Sequence, residues 1–217
     1  YEKSIFILGS PDLDLMNENN LPSLNEAKKY YQIEFNNFSI AMFHPITTEY
    51  RNIKKYAKSF INALVESNEK YILIYPNNDI GSKEILEEIK KIEKNKNFRI
   101  FPSLRFEYFL RFLKESKFII GNSSAGIREA PYYNIPTVDI GTRQKNRSSL
   151  KSIIRSDYTK KNIIRAISKV NKTSSSKIND NIESYFFGKG ESDKKFLKLL
   201  ESNSFWSIKL QKQFQDF

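Results

Sequence analysis

Short apolar runs alternate along the chain with stretches in which apolar residues recur every three or four positions. The short runs are typical of buried strands, and the spaced stretches are typical of amphipathic helices. Strands are predicted in SIFILG, FSIAMFHP, KYILIYP, FRIFPS, KFIIGN and PTVDIG. Helices are predicted over residues 48–67, 82–94, 105–115, 124–133, 159–170, 192–201 and 204–214, with Ser82 as the N-cap of the second.

This alternation predicts an α/β fold, in which βαβ units build a mostly parallel sheet. The strands are almost continuously apolar, so we expect helices on both faces of the sheet. Ligands of such sheets bind beyond the carboxyl ends of the strands. His44, the GNSSAG turn and the GTRQKNR loop each follow a predicted strand, which places all three segments at one edge.

The GNSSAGIREA segment passes from a strand through small residues into a predicted helix. Backbone N–H groups at a helix start, together with the hydroxyls of Ser123 and Ser124, suit a phosphate, and small residues such as Gly126 let it approach closely. A plain turn with a serine cap explains the segment equally well. Glu129 lies further along, where it can accept hydrogen bonds from a ribose or simply face solvent.

Two further candidates follow neighbouring strands. Arg143, Lys145 and Arg147 lie in the GTRQKNR loop, and arginine suits bidentate phosphate contacts, although basic loops are ordinary in a lysine-rich chain. His44 is the single histidine of the chain. At the end of a strand it can contact a diphosphate or transfer a proton, but a lone histidine is more often structural.

Composition narrows the classes of function. The chain has 217 residues, of which 39% are apolar, enough for one large α/β domain or two small ones. No apolar run is long enough for a transmembrane helix, and the first residues do not resemble a signal peptide, so we expect no membrane partner. The absence of cysteine excludes disulfides and thiolate metal sites and suits a reducing compartment.

The net charge of +11 permits a polyanion partner. However, the lysines alternate with acidic residues on predicted helix surfaces, as in KEILEEIKKIEKNKN, and the chain is also rich in asparagine and isoleucine. This pattern indicates a general compositional bias. No nucleic-acid-binding signature accompanies it, so we expect no nucleic-acid partner.

The segments GNSSAGIREAP and IGTRQKNR together resemble the paired signature of the hydrolysing UDP-N-acetylglucosamine 2-epimerases. GSPDLDLM, LPSL and HPITTEY match the same family in the same order, and FFGKGESDKKFLKLL resembles its late segment. The resemblance implies two Rossmann-like domains in a glycosyltransferase-B arrangement, with a UDP-sugar between them. It matches the second domain, and so implies a UDP-binding domain over residues 1–200 and a helix over residues 201–217 that crosses to the first domain.

The resemblance also implies roles for the candidate residues. Ser123 and Ser124, with Gly126 in the same turn, would hold the diphosphate, and Glu129 would bind the ribose. The remaining residues would surround the base, the phosphates and the reacting sugar: Phe109 at the uracil, Arg143 and Arg147 near the phosphates, and His44 near both the diphosphate and the sugar.

The implied reaction converts UDP-N-acetylglucosamine and water to N-acetylmannosamine and UDP, for sialic-acid-type sugars. UDP leaves by anti elimination to a glycal, and water then adds. The resemblance implies a cytoplasmic homo-oligomer without a metal or other cofactor. It places the catalytic carboxylates in the first domain, so we expect residues 1–217 alone to be inactive.

Two alternatives remain. The first is a 2-epimerase for UDP-N,N'-diacetylbacillosamine or a related sugar, and the second is a non-catalytic UDP-binding module. A glycosyltransferase of similar architecture is disfavoured by the GTRQKNR loop.

Overall fold

The computed structural model describes residues 4–173, 188 and 190–208. The chain divides into two compact units. One contains the described residues up to Asn20 and those from 188 onward. The other contains the residues from Leu21 to Thr173 and carries the sheet.

Six parallel strands form this sheet, in the order β3-β2-β1-β4-β5-β6. They are β1 (Ser39–Met42), β2 (Tyr71–Ile74), β3 (Phe98–Phe101), β4 (Ile119–Gly121), β5 (Thr137–Ile140) and β6 (Ile153–Ser156). The strand order reverses between β1 and β4, where Met42 lies opposite Gly121. Such a reversal opens a crevice at the carboxyl ends of the two strands. The predicted α/β fold with a Rossmann-like sheet is confirmed.

Helices cover both faces of the sheet. They are α1 (Leu24–Tyr31), α2 (Ile53–Ser67), α3 (Ser82–Lys90), α4 (Phe106–Glu115), α5 (Glu129–Tyr132) and α6 (Lys160–Thr173). Alternate strand residues point to opposite faces. On one face, Ala41, Ile120 and Val138 belong to the core formed with α2, α3 and α6. On the other face Ile40 is fully buried, and α4 packs on β1 with α1 and α5 beside it.

The smaller unit contains a 3₁₀ helix (Pro11–Leu15), α7 (Ser192–Leu200) and α8 (Asn203–Trp206). The carboxylate of Asp14 accepts hydrogen bonds from the backbone N–H groups of Ser192 and Asp193, both at 3.0 Å, and so caps the start of α7. The last predicted helix, over residues 204–214, overlaps α8 in its first residues. Residues 209–217, which include most of the predicted crossing helix, lie outside the described residues.

The structure corrects four predictions, three of them at the starts of elements or in the first apolar run. SIFILG is not a strand: residues 5–10 have no regular structure, and Ile5 and Ile7 are 70% and 90% exposed. An apolar run forms a strand only where another strand supplies backbone partners. Ser82 is the first residue of α3, whereas Gly81, with a φ of 104°, is the N-cap. The helix predicted from residue 48 begins as a 3₁₀ helix (Thr47–Asn52) before α2.

The helix predicted over residues 124–133 is interrupted. A 3₁₀ helix (Ser124–Gly126) is followed by the four-residue α5. The hydroxyl of Thr137 donates to the Gly126 carbonyl at 2.7 Å, which engages an acceptor that a continuous helix would use itself. Pro131 has no N–H to donate to the preceding turn. The segment therefore lacks the long helix whose first N–H groups were expected at the phosphate.

None of the helices within residues 4–173 and 190–208 is long and apolar enough to cross a membrane.

Candidate functional site

A cavity of about 290 Å³ opens at the carboxyl ends of β1, β2 and β4, on the face covered by α4. It is lined by Met42, Ile74, Ser103, Leu104, Phe106, Phe109, Ser123, Ser124, Ala125 and Glu129. Four of the predicted site residues therefore share one cavity: Phe109, Ser123, Ser124 and Glu129. An apolar wall with a few polar groups at one side is typical of a small-molecule site.

The aromatic wall of the cavity comes from the first turn of α4. Phe106 and Phe109 are three positions apart, which places them on one side of the helix, with ring centroids 6.4 Å apart. Phe109 is buried. Ser103 and Leu104, which sequence analysis did not single out, enter from the loop between β3 and α4. This wall offers flat apolar surface of the kind on which a base packs.

The turn after β4 forms the polar side of the cavity. A side chain at Gly121 would place its Cβ 1.8 Å from the Met42 carbonyl oxygen, so glycine permits β1 and β4 to approach at the crevice. Within the turn, the Ala125 N–H donates to Ser123 Oγ at 3.3 Å and the Gly126 N–H donates to the Ser123 carbonyl at 3.2 Å. The turn already uses these two N–H groups, so neither is available to a ligand, whereas Ser123 and Ser124 both line the cavity.

Glu129 and Gly126 differ in their surroundings. Glu129, the first residue of α5, lines the cavity with only 8% of its surface exposed. Gly126 is buried against β5, where an added Cβ would lie 2.5 Å from the Cγ2 atom of Thr137. Packing against Thr137 therefore accounts for the missing side chain at residue 126.

His44 lies at the end of β1 and is half-buried. Its Nδ1 atom accepts a hydrogen bond from the Asn77 N–H at 3.1 Å, which places the ring proton of the neutral imidazole on Nε2. Burial, and then the nearby Arg143 cation, lower the pKa of His44 to about 4, although Asn77 and the Asp79 carboxylate act in the opposite direction. The ring is therefore neutral at pH 7.

The loop after β5 brings cations to the same edge. Nη1 of Arg143 donates to the Asn122 carbonyl at 3.1 Å, and Nη1 of the exposed Arg147 donates to Gln144 Oε1 at 3.0 Å. Arg143 lies close enough to His44 to lower its pKa. His44, Arg143 and Arg147 are not among the cavity-lining residues. They follow β1 and β5, the two strands on either side of β4, whose turn lines the cavity.

Asn122 and Gln144 are both fully buried, and neither was predicted as a site residue. Asn122 stands between Gly121 and Ser123 in a segment already singled out. Its side-chain amide joins both backbone groups of His44, at 2.7 and 2.8 Å. These partners are 78 residues apart, so the only sequence signal is an amide residue directly after a strand at the crevice.

The sequence profile described as UDP-N-acetylglucosamine 2-epimerase matches residues 1–201. Over 217 residues the chain is 46% identical to UDP-N-acetylglucosamine 2-epimerase of Neisseria meningitidis serogroup B, covering 99% of this chain and 56% of that protein. It is 31% identical over 166 residues to polysialic acid biosynthesis protein P7 of Escherichia coli, covering 76% and 42%. It is 30% identical over 159 residues to UDP-N,N'-diacetylbacillosamine 2-epimerase (hydrolyzing) of Legionella pneumophila, covering 73% and 42%. The chain thus spans about half the length of these relatives.

Among solved structures, the chain resembles UDP-GlcNAc 2-epimerase of Methanocaldococcus jannaschii in complex with UDP-GlcNAc and UDP. The TM-score is 0.71 at 18% identity, and the match covers 92% of this chain and 55% of that one. At this identity the likeness establishes the fold.

Proposed function

Because the chain belongs to the UDP-N-acetylglucosamine 2-epimerase family, we propose that it is the UDP-binding part of a hydrolysing member. The complete protein then converts UDP-N-acetylglucosamine and water to N-acetylmannosamine and UDP. One observation carries this proposal: a cavity with an aromatic wall, two serines and a buried glutamate adjoins a cationic loop at the same edge of the sheet.

The cavity is assigned to the uridine. Phe109 provides apolar surface for the uracil, and the Glu129 carboxylate accepts hydrogen bonds from the ribose hydroxyls. Because Glu129 lines the cavity with only 8% of its surface exposed, its carboxylate meets a ligand away from bulk water, where a hydrogen bond to a charged group is strong.

The diphosphate is assigned to the rim between the serine turn and the cationic loop. The hydroxyls of Ser123 and Ser124 donate to phosphate oxygens, while Arg143 and Arg147 balance the negative charge. Gly126 contributes indirectly, because its packing on Thr137 fixes the turn that carries both serines.

His44 and Arg143 stabilise UDP as it leaves. Breaking the bond between C1 of the sugar and the phosphate oxygen transfers negative charge to UDP, and preorganised donors stabilise that charge most strongly. The Nδ1 atom of His44 is already an acceptor for Asn77, so the Nε2–H donates to the departing phosphate. The group that removes the proton at C2 is assigned to the part of the protein outside this chain.

The hydrolysing type and the pathway are supported by the names of the relatives. One relative is a hydrolysing epimerase, and another is a polysialic acid biosynthesis protein. The same resemblance to the Legionella enzyme supports the alternative substrate, UDP-N,N'-diacetylbacillosamine. We also propose that the complete protein is a cytoplasmic homo-oligomer. Since this chain spans 56% of its Neisseria relative, a non-catalytic UDP-binding module is the second candidate.

Product analysis by NMR tests the proposal. The complete protein, incubated with UDP-N-acetylglucosamine, is expected to release free N-acetylmannosamine and UDP, whereas UDP-N-acetylmannosamine would show a non-hydrolysing epimerase. A parallel reaction with UDP-N,N'-diacetylbacillosamine compares the two sugars. Residues 1–217 alone are expected to bind UDP without turnover, and release of N-acetylmannosamine by them would contradict the assignment of the base to the rest of the protein.

A further inference from the structure

Asn122 joins the ends of the two strands that flank the crevice. Its Nδ2 donates to the His44 carbonyl at 2.8 Å, and its Oδ1 accepts from the His44 N–H at 2.7 Å. Its own N–H donates to the Met42 carbonyl at 3.1 Å. The side-chain amide therefore continues the pairing of β1 and β4 beyond their last residues, in a place where Asn122 is fully buried.

The backbone carbonyl of Asn122 holds the loop after β5. It accepts from Arg143 Nη1 at 3.1 Å and from Gln144 Nε2 at 2.9 Å. Gln144 is fully buried and in turn accepts from Arg147. One residue thus connects His44 on one side with the two arginines on the other.

We propose that Asn122 is a positioning residue, which holds His44 and Arg143 in a single fixed arrangement so that both reach the diphosphate of a bound nucleotide. The proposal rests on the proposed function for the identity of the ligand. Beyond that function, it identifies Asn122 as the residue that connects the segment after β1 with the loop after β5, so that both act on the same ligand.

The chemistry at residue 122 requires asparagine. Its amide presents a donor and an acceptor side by side, which match the carbonyl and N–H of one backbone residue. A carboxylate at this position would face the His44 carbonyl oxygen without a proton between them. An alanine would remove the partner of the N–H and of the carbonyl of the half-buried His44, and polar groups that lose a partner away from water are costly.

A residue that merely stabilised the strand ends would not control the tautomer or the pKa of the His44 imidazole. The groups that face His44 are Asn77, Asp79 and Arg143, and Asn122 fixes the backbone that carries the ring among them. Releasing that backbone is expected to expose the ring to water and to move it away from Arg143. These changes relieve the two largest causes of the low pKa and outweigh the loss of the smaller, opposing contribution of Asn77. Loss of the hydrogen bond from Asn77 also frees Nδ1 to carry the proton. The tautomer and the titration of His44 therefore report on positioning.

The single histidine makes this measurable. In the ¹⁵N-labelled chain of residues 1–217, NMR of the imidazole nitrogens is expected to show the Nε2–H tautomer and a titration midpoint near pH 4. In Asn122→Asp and Asn122→Ala, we expect a mixture of tautomers and a midpoint at least about one pH unit higher. UDP affinity, measured by calorimetry, is expected to fall at least about tenfold.

Asn97→Ala is the matched control. Asn97 also donates through Nδ2 to a neighbouring loop, to Asn68 Oδ1 at 3.0 Å, but it precedes β3 at the opposite edge of the sheet. This variant is expected to leave the His44 spectrum and the affinity for UDP unchanged. Circular dichroism and thermal unfolding establish that each variant is folded.

Folded Asn122 variants with an unchanged His44 spectrum, or with an unchanged affinity for UDP, would overturn the proposal. Unsubstituted protein provides a check that does not depend on variant folding: an Nδ1–H tautomer, or rapid hydrogen exchange at the Asn122 side-chain amide, would also overturn it. If unsubstituted protein binds no UDP, the proposed function fails, while the control of His44 by Asn122 is still decided by the imidazole spectrum.

Discussion

The side chain of Thr137 both holds and confines Gly126. Its hydroxyl donates to the Gly126 carbonyl at 2.7 Å, and its Cγ2 methyl occupies the space in which a side chain on residue 126 would lie. Gly126→Ala is therefore expected to lower the free energy of unfolding by about 1–3 kcal/mol through overpacking. Chemical denaturation measures this change.

The double variant Gly126→Ala/Thr137→Ser separates the two effects of Thr137. Serine retains the hydroxyl and removes the methyl, so the double variant is expected to recover part of the stability that Gly126→Ala loses. Purely additive free-energy changes in the double-mutant cycle would show that the methyl is not the source of the strain.

The hydrophobic pattern was sufficient to predict the centre of the sheet. The strands β1, β2, β4 and β5 are buried and β3 is partly buried, and each of the five coincides with a predicted apolar run. The missed strand, β6, is a short edge strand with no fully buried residue, and it includes Arg155. In SIFILG the same kind of pattern was misleading, because strand formation depends on a neighbour that the local sequence does not specify.

The sequence was sufficient to predict those parts of the site that directly follow the ends of strands. The rule that ligands bind at the carboxyl ends of parallel strands brought His44, the serine turn and the basic loop to one edge. It could not predict the cavity wall from Ser103 and Leu104, or the buried amide of Asn122. Their partners lie far away in sequence, and their positions follow from the strand order.

Asp139 is expected to make stability depend on pH. Its carboxyl group is 2% exposed on β5, and burial raises its pKa to about 6 despite the Arg155 cation. The folded state then binds the proton more tightly than the unfolded state, so this contribution is greatest below about pH 4 and is lost as the pH rises through 6. Asp139→Asn should raise the melting temperature at pH 7.5 by a few degrees, with little effect at pH 4.

The reference for this experiment is Asp157→Asn. Hydrogen bonds from the side chain and the backbone of Thr159 lower the pKa of Asp157, so its contribution is present above the unfolded pKa and is lost in acid. Asp157→Asn should therefore lower the melting temperature at pH 7.5. His44 has a depressed pKa and acts in the same direction as Asp157, so each variant must be compared with wild type at each pH. Equal effects of Asp139→Asn at pH 4 and 7.5 would contradict the assignment.

Arg147 is expected to act on the phosphates alone. It is exposed, so its replacement by alanine should leave the fold intact while weakening UDP binding by about three- to tenfold. Uridine, which has no phosphate, should bind this variant as it binds wild type. The measurement is calorimetry with both ligands at two salt concentrations, since screening weakens exposed charge pairs.

Arg165→Ala is the control for Arg147. Arg165 is exposed on α6, which packs on the opposite face from the cavity. The Arg165→Ala substitution removes the same charge from the chain as Arg147→Ala and should leave the affinity for UDP unchanged. If both substitutions weaken UDP equally, the effect arises from net charge and not from the loop after β5.

The central claim is that the cavity and the serine turn bind UDP, and calorimetric titration of residues 1–217 with UDP tests it most directly. We expect saturable binding at a single site, weakened about tenfold by Ser123→Ala and by Glu129→Gln, each of which removes a hydrogen-bonding group from the ligand. Asn97→Ala should bind as wild type does. Absence of UDP binding by the folded chain, or equal affinities in all four proteins, would contradict the claim.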